Sequence, residues 1–207
     1  MKRGIIFAGG EFSLPAEFES ILKSSILTVC ADSGYDNAVK AGVIPDVIIG
    51  DMDSVKRSLP EGIKQIKLKC EKDDTDTQAC IDYLADAGCD EMVLVGALGG
   101  RIDHALANIM LVIYAAKKGA RLIIKSENTE IVPVDSFAEI SGEKGDWLSI
   151  IPVMGDAEGV TLSGLKYPLD NATLEAGKTV GISNEFVCEK ATIRVKKGLV
   201  TAIKTKR

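Results

Sequence analysis

The chain has a single histidine, His104, among 207 residues, which excludes a two-histidine H-E-x-x-H zinc motif and leaves one candidate for any Ser-His-Asp arrangement. Cysteine is sparse and odd in number: Cys30, Cys70, Cys80, Cys89 and Cys188. No two of them form a C-x-x-C pair, so neither a disulfide framework nor a cysteine-rich zinc site is expected. Aromatic residues make up only 5% of the chain, too few for rows of base-stacking side chains. Positive charge is not in excess either. Against 30 Asp and Glu stand 25 Lys and Arg, a net charge of −5, which offers no general attraction to nucleic acid. No apolar run approaches the roughly 18–20 residues of a membrane span, and the stretch after Met1-Lys2-Arg3 is too short for a signal peptide. These absences predict a cytoplasmic protein with neither a nucleic-acid nor a membrane partner.

What is present is enough apolar residue, 46%, to bury a core, and its pattern changes near residue 125. Before that point short β-branched runs alternate with helical stretches. Ile5 to Ala8 leads into Gly9-Gly10, Ile26 to Cys30 into Ala31-Asp32, Val47 to Gly50 into Asp51, and Met92 to Val95 into a glycine cluster, with Leu122 to Ile124 closing the series. Ile102, Ala105, Leu106, Ile109, Met110 and Ile113 recur at helical spacing and predict one buried helix face. Thr75-x-x-Gln78 opens a second helix with the pattern of a capping box. Such alternation predicts an α/β domain over residues 1–125, a parallel sheet with helices on its faces. From residue 126 to 207 turn signals replace the helical period: Ser141-Gly142, Lys144-Gly145-Asp146, Met154-Gly155-Asp156, Ser163-Gly164, Ala176-Gly177 and Lys197-Gly198. Alternating segments such as Ala191 to Lys196 lie between them and predict a small all-β domain built from hairpins. Two units this small are expected to share an interface or to associate with a second chain.

The acid is unevenly spread, with 18 acidic and 14 basic residues in 1–124 against 12 and 11 in the remainder. Asp51 and Asp53 follow the run Val47 to Gly50, and Asp32 follows Ile26 to Ala31. The carboxyl ends of parallel strands are where open α/β sheets bind ligands, and carboxylates so placed suit a hard divalent ion such as Mg2+. Gly-Asp is also ordinary turn chemistry. A third cluster, Asp73, Asp74 and Asp76, opens the helix that begins at Thr75. Acids there cap free N–H groups and meet the positive end of the helix dipole. With Asp74 or Thr75 as the cap, Asp76 is the better metal ligand, and Lys72 beside them can meet a phosphate. The cluster Gly96-Ala97-Leu98-Gly99-Gly100-Arg101 matches neither G-x-G-x-x-G nor the P-loop. Its glycines allow close backbone approach, and Arg101 offers a fork for phosphate oxygens. Asp103 and His104 open the helix that follows. One sheet edge gathering these groups points to Mg2+-assisted phosphoryl chemistry.

The same residues carry a resemblance. ADSGYDNAVKAGVIPDVIIGDMDS (31–54), KDDTDTQACIDYL (72–84) and GGRIDHALANIMLV (99–112) resemble the thiamine pyrophosphokinase family in order and spacing, and LSGLKYPL (162–169) and GISNEF (181–186) look like its β-domain segments. The resemblance implies a Rossmann-like α/β domain followed by a small C-terminal β-sandwich. It implies transfer of the diphosphate of ATP to the hydroxyethyl oxygen of thiamine with Mg2+, giving AMP. It also implies a homodimer in which thiamine sits between the α/β domain of one subunit and the β-sandwich of the other. By position, Asp51, Asp53 and Asp76 would bind Mg2+ with Asp32 assisting, while Arg101 and Asp103 resemble the nucleotide- and substrate-edge pair. Tyr167 would stack on thiamine, and Thr161, Ser163, Ser183 and Asn184 would line the same pocket. The proton acceptor stays open among Asp32, Asp76 and Asp103. Ser33 stands in place of a usual Gly, and Asp36 in place of a usual Asn. Two rival readings are a Mg2+-dependent phosphohydrolase and a non-catalytic thiamine or nucleotide sensor.

Overall fold

Alternation of strand and helix governs the first unit of the chain, Met1–Glu127, and hairpins govern the second, Asn128–Arg207. The computed structural model describes residues 1–53, 55, 61–68 and 74–207. In the first unit the elements run β1 (Arg3–Phe7), α1 (Phe18–Ser24), β2 (Ser25–Ala31), α2 (Gly34–Lys40), β3 (Val47–Gly50), β4 (Lys64–Lys67), α3 (Asp76–Asp86), β5 (Glu91–Val95), α4 (Ile102–Lys117) and β6 (Arg121–Lys125). The strands lie in the order β6-β5-β1-β2-β3-β4, and the pairings β6·β5, β5·β1, β1·β2, β2·β3 and β3·β4 are all parallel. The chain builds outward from β1 to β4 and then returns to β1's other side as β5. The direction of winding therefore reverses between β1 and β5, the place where such sheets open a ligand crevice.

Parallel strands covered on both faces need apolar residues at every position, and β1, β3 and β5 are buried almost throughout. On one face Ile5, Phe7, Cys30, Ile48, Val93 and Val95 pack with Phe18, Ile21, Tyr35 and Ala38 from α1 and α2, and Phe7 meets Phe18 edge to face at 5.9 Å. Cys80, Ile81 and Leu84 of α3 are buried as well. Burial pushes the Cys30 thiol far above its ordinary range, which makes it an inert packing group.

The helix that opens at Thr75 forms as the sequence indicates. Thr75 is the N-cap, and its hydroxyl accepts the Gln78 N–H at 3.2 Å. The return bond of the box is not made to Thr75, because the Gln78 amide donates to the Asp74 carboxylate instead. The expectation for α4 needs correction. Its buried residues are Leu111, Val112 and Ala115, while Ile102, Leu106 and Met110 are 86%, 60% and 46% exposed. This helix is apolar around most of its circumference, so periodicity marks an apolar stripe without saying which stripe the chain itself covers.

The second unit holds β7 (Thr129–Val134), β8 (Phe137–Ser141), β9 (Trp147–Pro152), β10 (Ala157–Ser163), β11 (Leu169–Leu174), β12 (Asn184–Glu185), β13 (Lys190–Arg194) and β14 (Val200–Thr205). They form two antiparallel sets, β12-β9-β14-β7 and β11-β10-β13-β8. The glycine of every turn signal falls between strands; Met154-Gly155-Asp156, for example, links β9 to β10, and Lys197-Gly198 lies between β13 and β14. Alternation of buried and exposed residues in β8 and β13 leaves Ala138, Ile140, Ala191 and Ile193 on a covered face.

Candidate active site

Three carboxylates come together because two neighbouring strands end side by side. β2 and β3 are paired with Ala31 opposite Ile49, so the next residues, Asp32 and Gly50, also adjoin. The Asp32 N–H donates to Ile49 O at 2.8 Å. Gly50 permits the approach, since a Cβ on it would stand 2.9 Å from Asp32 Cβ. Asp51 then follows Gly50, and the Asp53 N–H folds back onto Asp51 Oδ1 at 3.2 Å. The outcome is one oxygen each from Asp32, Asp51 and Asp53 within 4.8 Å of one another. Two non-glycine residues of this corner hold left-handed backbone, Asp32 at φ 46° and Met52 at φ 69°. Asp tolerates that region, whereas for Met52 it is strain of a kind that collects at functional sites.

These groups line a crevice of about 710 Å³ at the carboxyl edge of the parallel sheet. Its walls include Asp32, Asp51, Asp53, Asp76, Arg101 and His104, together with Gly9, Gly10 and Glu11 after β1 and Gly99 and Gly100 after β5. The sequence-derived metal set was Asp51, Asp53 and Asp76. In the structure Asp32 joins Asp51 and Asp53 in the close group, while Asp76, the first residue of α3, lines the same crevice. Lys72 and Asp73 lie outside the described residues. Gly9, Gly10, Glu11, Thr77 and Asn108, which the sequence reading did not assign to the site, also line the crevice, as does Ser33, noted there only as a departure from the family's pattern; the signal for the first two was a pair of glycines directly after a strand.

Arg101 sits at the N-cap position of α4 without capping it through its side chain. It reaches forward to Asp103 instead, Nε to Oδ1 at 3.1 Å and Nη2 to Oδ2 at 2.6 Å, a two-point clamp. The His104 N–H adds a bond to Asp103 Oδ1 at 3.0 Å. The Arg101 hydrogen bond above all, aided by that backbone bond, pulls the Asp103 carboxyl down to about 2, and the same pairing raises Arg101 above its ordinary value. Asp103 is thus a weak proton acceptor, and its two bonds fix the plane of the Arg101 guanidinium. The helices that carry Asp76 and Arg101 are braced together further along, where Asp82 of α3 accepts from Tyr114 Oη at 2.7 Å and pairs with Lys118 Nζ at 2.8 Å.

In the second unit Tyr167 is 59% exposed. Buried Asn184 clamps its backbone reciprocally, accepting the Tyr167 N–H at 2.9 Å and donating to Tyr167 O at 2.7 Å. Asn184 therefore sets the course of the Tyr167 segment. Thr161 Oγ1 accepts from the Asn171 N–H at 3.1 Å, Ser163 bonds Thr192, and Ser183, at φ 58°, donates its N–H to Ser149 Oγ. Lys166 Nζ lies 5.5 Å from the Tyr167 ring centroid, so that ring already accepts a cation.

The comparisons with known proteins agree with one another. The family model described as thiamin pyrophosphokinase, catalytic domain, matches residues 18–124, and the one described as thiamin pyrophosphokinase, vitamin B1 binding domain, matches residues 136–200. The chain is 31% identical over 212 residues to a thiamine pyrophosphokinase of Bacillus subtilis, covering 99% of both chains. It is 29% identical to thiamine pyrophosphokinase 1 of Arabidopsis thaliana, covering 94% of this chain and 84% of the relative. The crystal structure of thiamine pyrophosphokinase from Bacillus subtilis superposes with a TM-score of 0.87 at 27% identity, covering all of both chains. Likeness across the full length, in sequence and in fold, places this chain in the thiamine pyrophosphokinase family.

Proposed function

We propose that the chain is a Mg2+-dependent thiamine diphosphokinase, which moves the diphosphate group of ATP onto the hydroxyethyl oxygen of thiamine and releases AMP. The observation that carries this reading is the grouping of Asp32, Asp51 and Asp53 in a crevice at the carboxyl edge of a parallel sheet, in a chain of this family. An all-carboxylate donor set suits a hard cation and disfavours a soft one. Asp32, Asp51 and Asp53 would hold Mg2+, with Asp76 lining the same crevice. The ion, when bound, neutralises charge on the phosphates.

In the reaction the oxygen of the thiamine hydroxyl attacks the β-phosphorus in line and gives up its proton to a carboxylate of the crevice or to water, the bond from that phosphorus to the oxygen shared with the α-phosphate breaks, and AMP leaves with that oxygen. Such a transfer depends on positioning and on charge stabilisation more than on covalent chemistry. Arg101 commits Nε and Nη2 to Asp103, which leaves Nη1 to donate to a phosphate oxygen. Tyr167 offers a flat, exposed ring to the cationic thiazolium.

At the level of domains, we read residues 1–125 as a Rossmann-like ATP- and Mg2+-binding domain and 126–207 as a β-sandwich that binds thiamine. The working form is a homodimer whose second copy completes the thiamine site. The exposed apolar stripe Ile102, Leu106 and Met110 supports a protein partner. No helix among the described residues is long and apolar enough to cross a membrane, and the free thiols of Cys30, Cys89 and Cys188 suit the cytoplasm. Incubation with ATP, Mg2+ and thiamine tests the reading: thiamine diphosphate and AMP are expected in equal amounts. ADP as the product, or AMP release without thiamine, overturns it.

A further inference from the structure

Two loops meet where the winding of the parallel sheet reverses, one after β1 and one after β5, and both line the crevice. They are joined backbone to backbone. Ala8 N–H donates to Val95 O at 2.9 Å, Gly10 N–H to Gly96 O at 2.8 Å, and Glu11 N–H to Leu98 O at 3.0 Å. Those bonds use N–H groups of the first loop and leave its carbonyls to find donors elsewhere, as buried carbonyls must. Asn37 of α2, 4% exposed, supplies them. Its Nδ2 donates to Ala8 O at 2.9 Å and to Gly10 O at 3.0 Å, while its Oδ1 accepts from Lys40 Nζ at 3.3 Å. The fit leaves little room, since a Cβ on Gly96 would stand 2.5 Å from Ala8 O and 3.0 Å from Asn37 Nδ2.

We propose that Asn37 is a positioning residue for nucleotide binding, whose amide holds the Gly9-Gly10 turn in the shape that ATP meets. This rests on the reading of the crevice as the ATP site. A primary amide is suited to the task because one nitrogen carries two N–H donors for two carbonyls. A carboxylate of the same shape would set acceptor against acceptor.

Asn37→Asp tests the proposal without changing side-chain size. At pH 8 the KM for ATP is expected to rise about tenfold or more, the scale of two lost buried hydrogen bonds, with the KM for thiamine held within about twofold. Burial against two carbonyls raises the pKa of the new carboxyl, Lys40 Nζ on its other oxygen lowers it, and once protonated it regains one donor. The deficit in ATP KM is therefore expected to shrink as the pH is lowered, which a merely structural role would not produce. Asn37→Leu, near in size and uncharged, should show the same rise in ATP KM with no recovery at low pH. Hydrogen exchange of Asn37→Asp should quicken at the Gly10 and Glu11 amides while the rest of the unit stays protected. An unchanged ATP KM, a joint rise in both KM values with general loss of protection, or failure of both variants to fold overturns the proposal. Wild-type protein that makes no thiamine diphosphate would instead refute the functional reading beneath it.

Discussion

Gly50→Ala adds one methyl group, and the site's geometry fixes what that methyl meets. It would lie 2.9 Å from Asp32 Cβ, 3.0 Å from Asp32 Cα and 3.3 Å from Asp32 N. Non-bonded carbons rest about 3.5–4.0 Å apart, so the two strand ends must part by at least about 0.6 Å. The Asp32 side chain cannot swing aside to relieve this, because two of the three close atoms are backbone and Asp32 N–H is tied to Ile49 O. Overpacking of this kind costs about 1–3 kcal/mol of stability. Mg2+ demands ligand distances of about 2.0–2.1 Å in near-octahedral order, and a shift of this size in one of three carboxylates damages the site more than the fold. Two measurements separate the effects. Urea unfolding followed by circular dichroism should report the stability loss. Thiamine diphosphate formation against Mg2+ concentration should show half-maximal rate at about tenfold more Mg2+, the lower end of what disturbing a metal ligand's support produces. A loss of stability with unaltered Mg2+ dependence would falsify the placing of Asp32 in the metal group.

Three other outcomes are expected. The Asp103 carboxyl should titrate near 2 by NMR and move back toward an ordinary value in Arg101→Gln; because its pKa is depressed, the pairing is fully present above about 4 and lost as the pH falls through 2, so it adds no inflection to the rate between pH 5 and 9. Tyr167→Ala should raise the thiamine KM and leave the ATP KM and the unfolding midpoint near wild type, since the ring is largely exposed; an unchanged thiamine KM removes Tyr167 from the site. Leu106→Lys should shift the mass found by size-exclusion chromatography with light scattering toward the monomer, and a wild-type chain that is monomeric and active contradicts the shared site.

The elements that could be read from the sequence are those whose composition is set by burial on both sides. Ile5 to Phe7, Val47 to Ile49 and Met92 to Val95 are continuous apolar runs because helices cover both faces of the strands they form. Asp32 and Asp51 stand out for the complementary reason, as the first charged residues after such runs. Asp51 and Asp53 of the close carboxylate group were named from the sequence, but that Asp32 and not Asp76 stands closest to them was not legible. It depends on β2 lying beside β3 and on the missing Cβ of Gly50, facts of strand order that no spacing along the chain contains. Asn37 was hidden for a similar reason: its partners are 29 and 27 residues away and are backbone carbonyls, which carry no sequence signal.

The same strand order creates a problem that a cation solves. Three carboxylate oxygens within 4.8 Å of one another repel when they are ionised together. Folding forces this crowding, and the unfolded chain relieves it. A divalent ion that binds the group therefore favours the folded state, by an amount that grows with the logarithm of its concentration above the dissociation constant. Mg2+ alone, with neither ATP nor thiamine present, should raise the thermal midpoint well beyond the effect of NaCl at matched ionic strength. Screening by Na+ acts on every exposed charge alike, whereas coordination acts at this group. Asp51→Asn removes one carboxylate from the group, so it should blunt the response to Mg2+. A variant stabilised by Mg2+ as strongly as the wild type would show that the ion binds elsewhere.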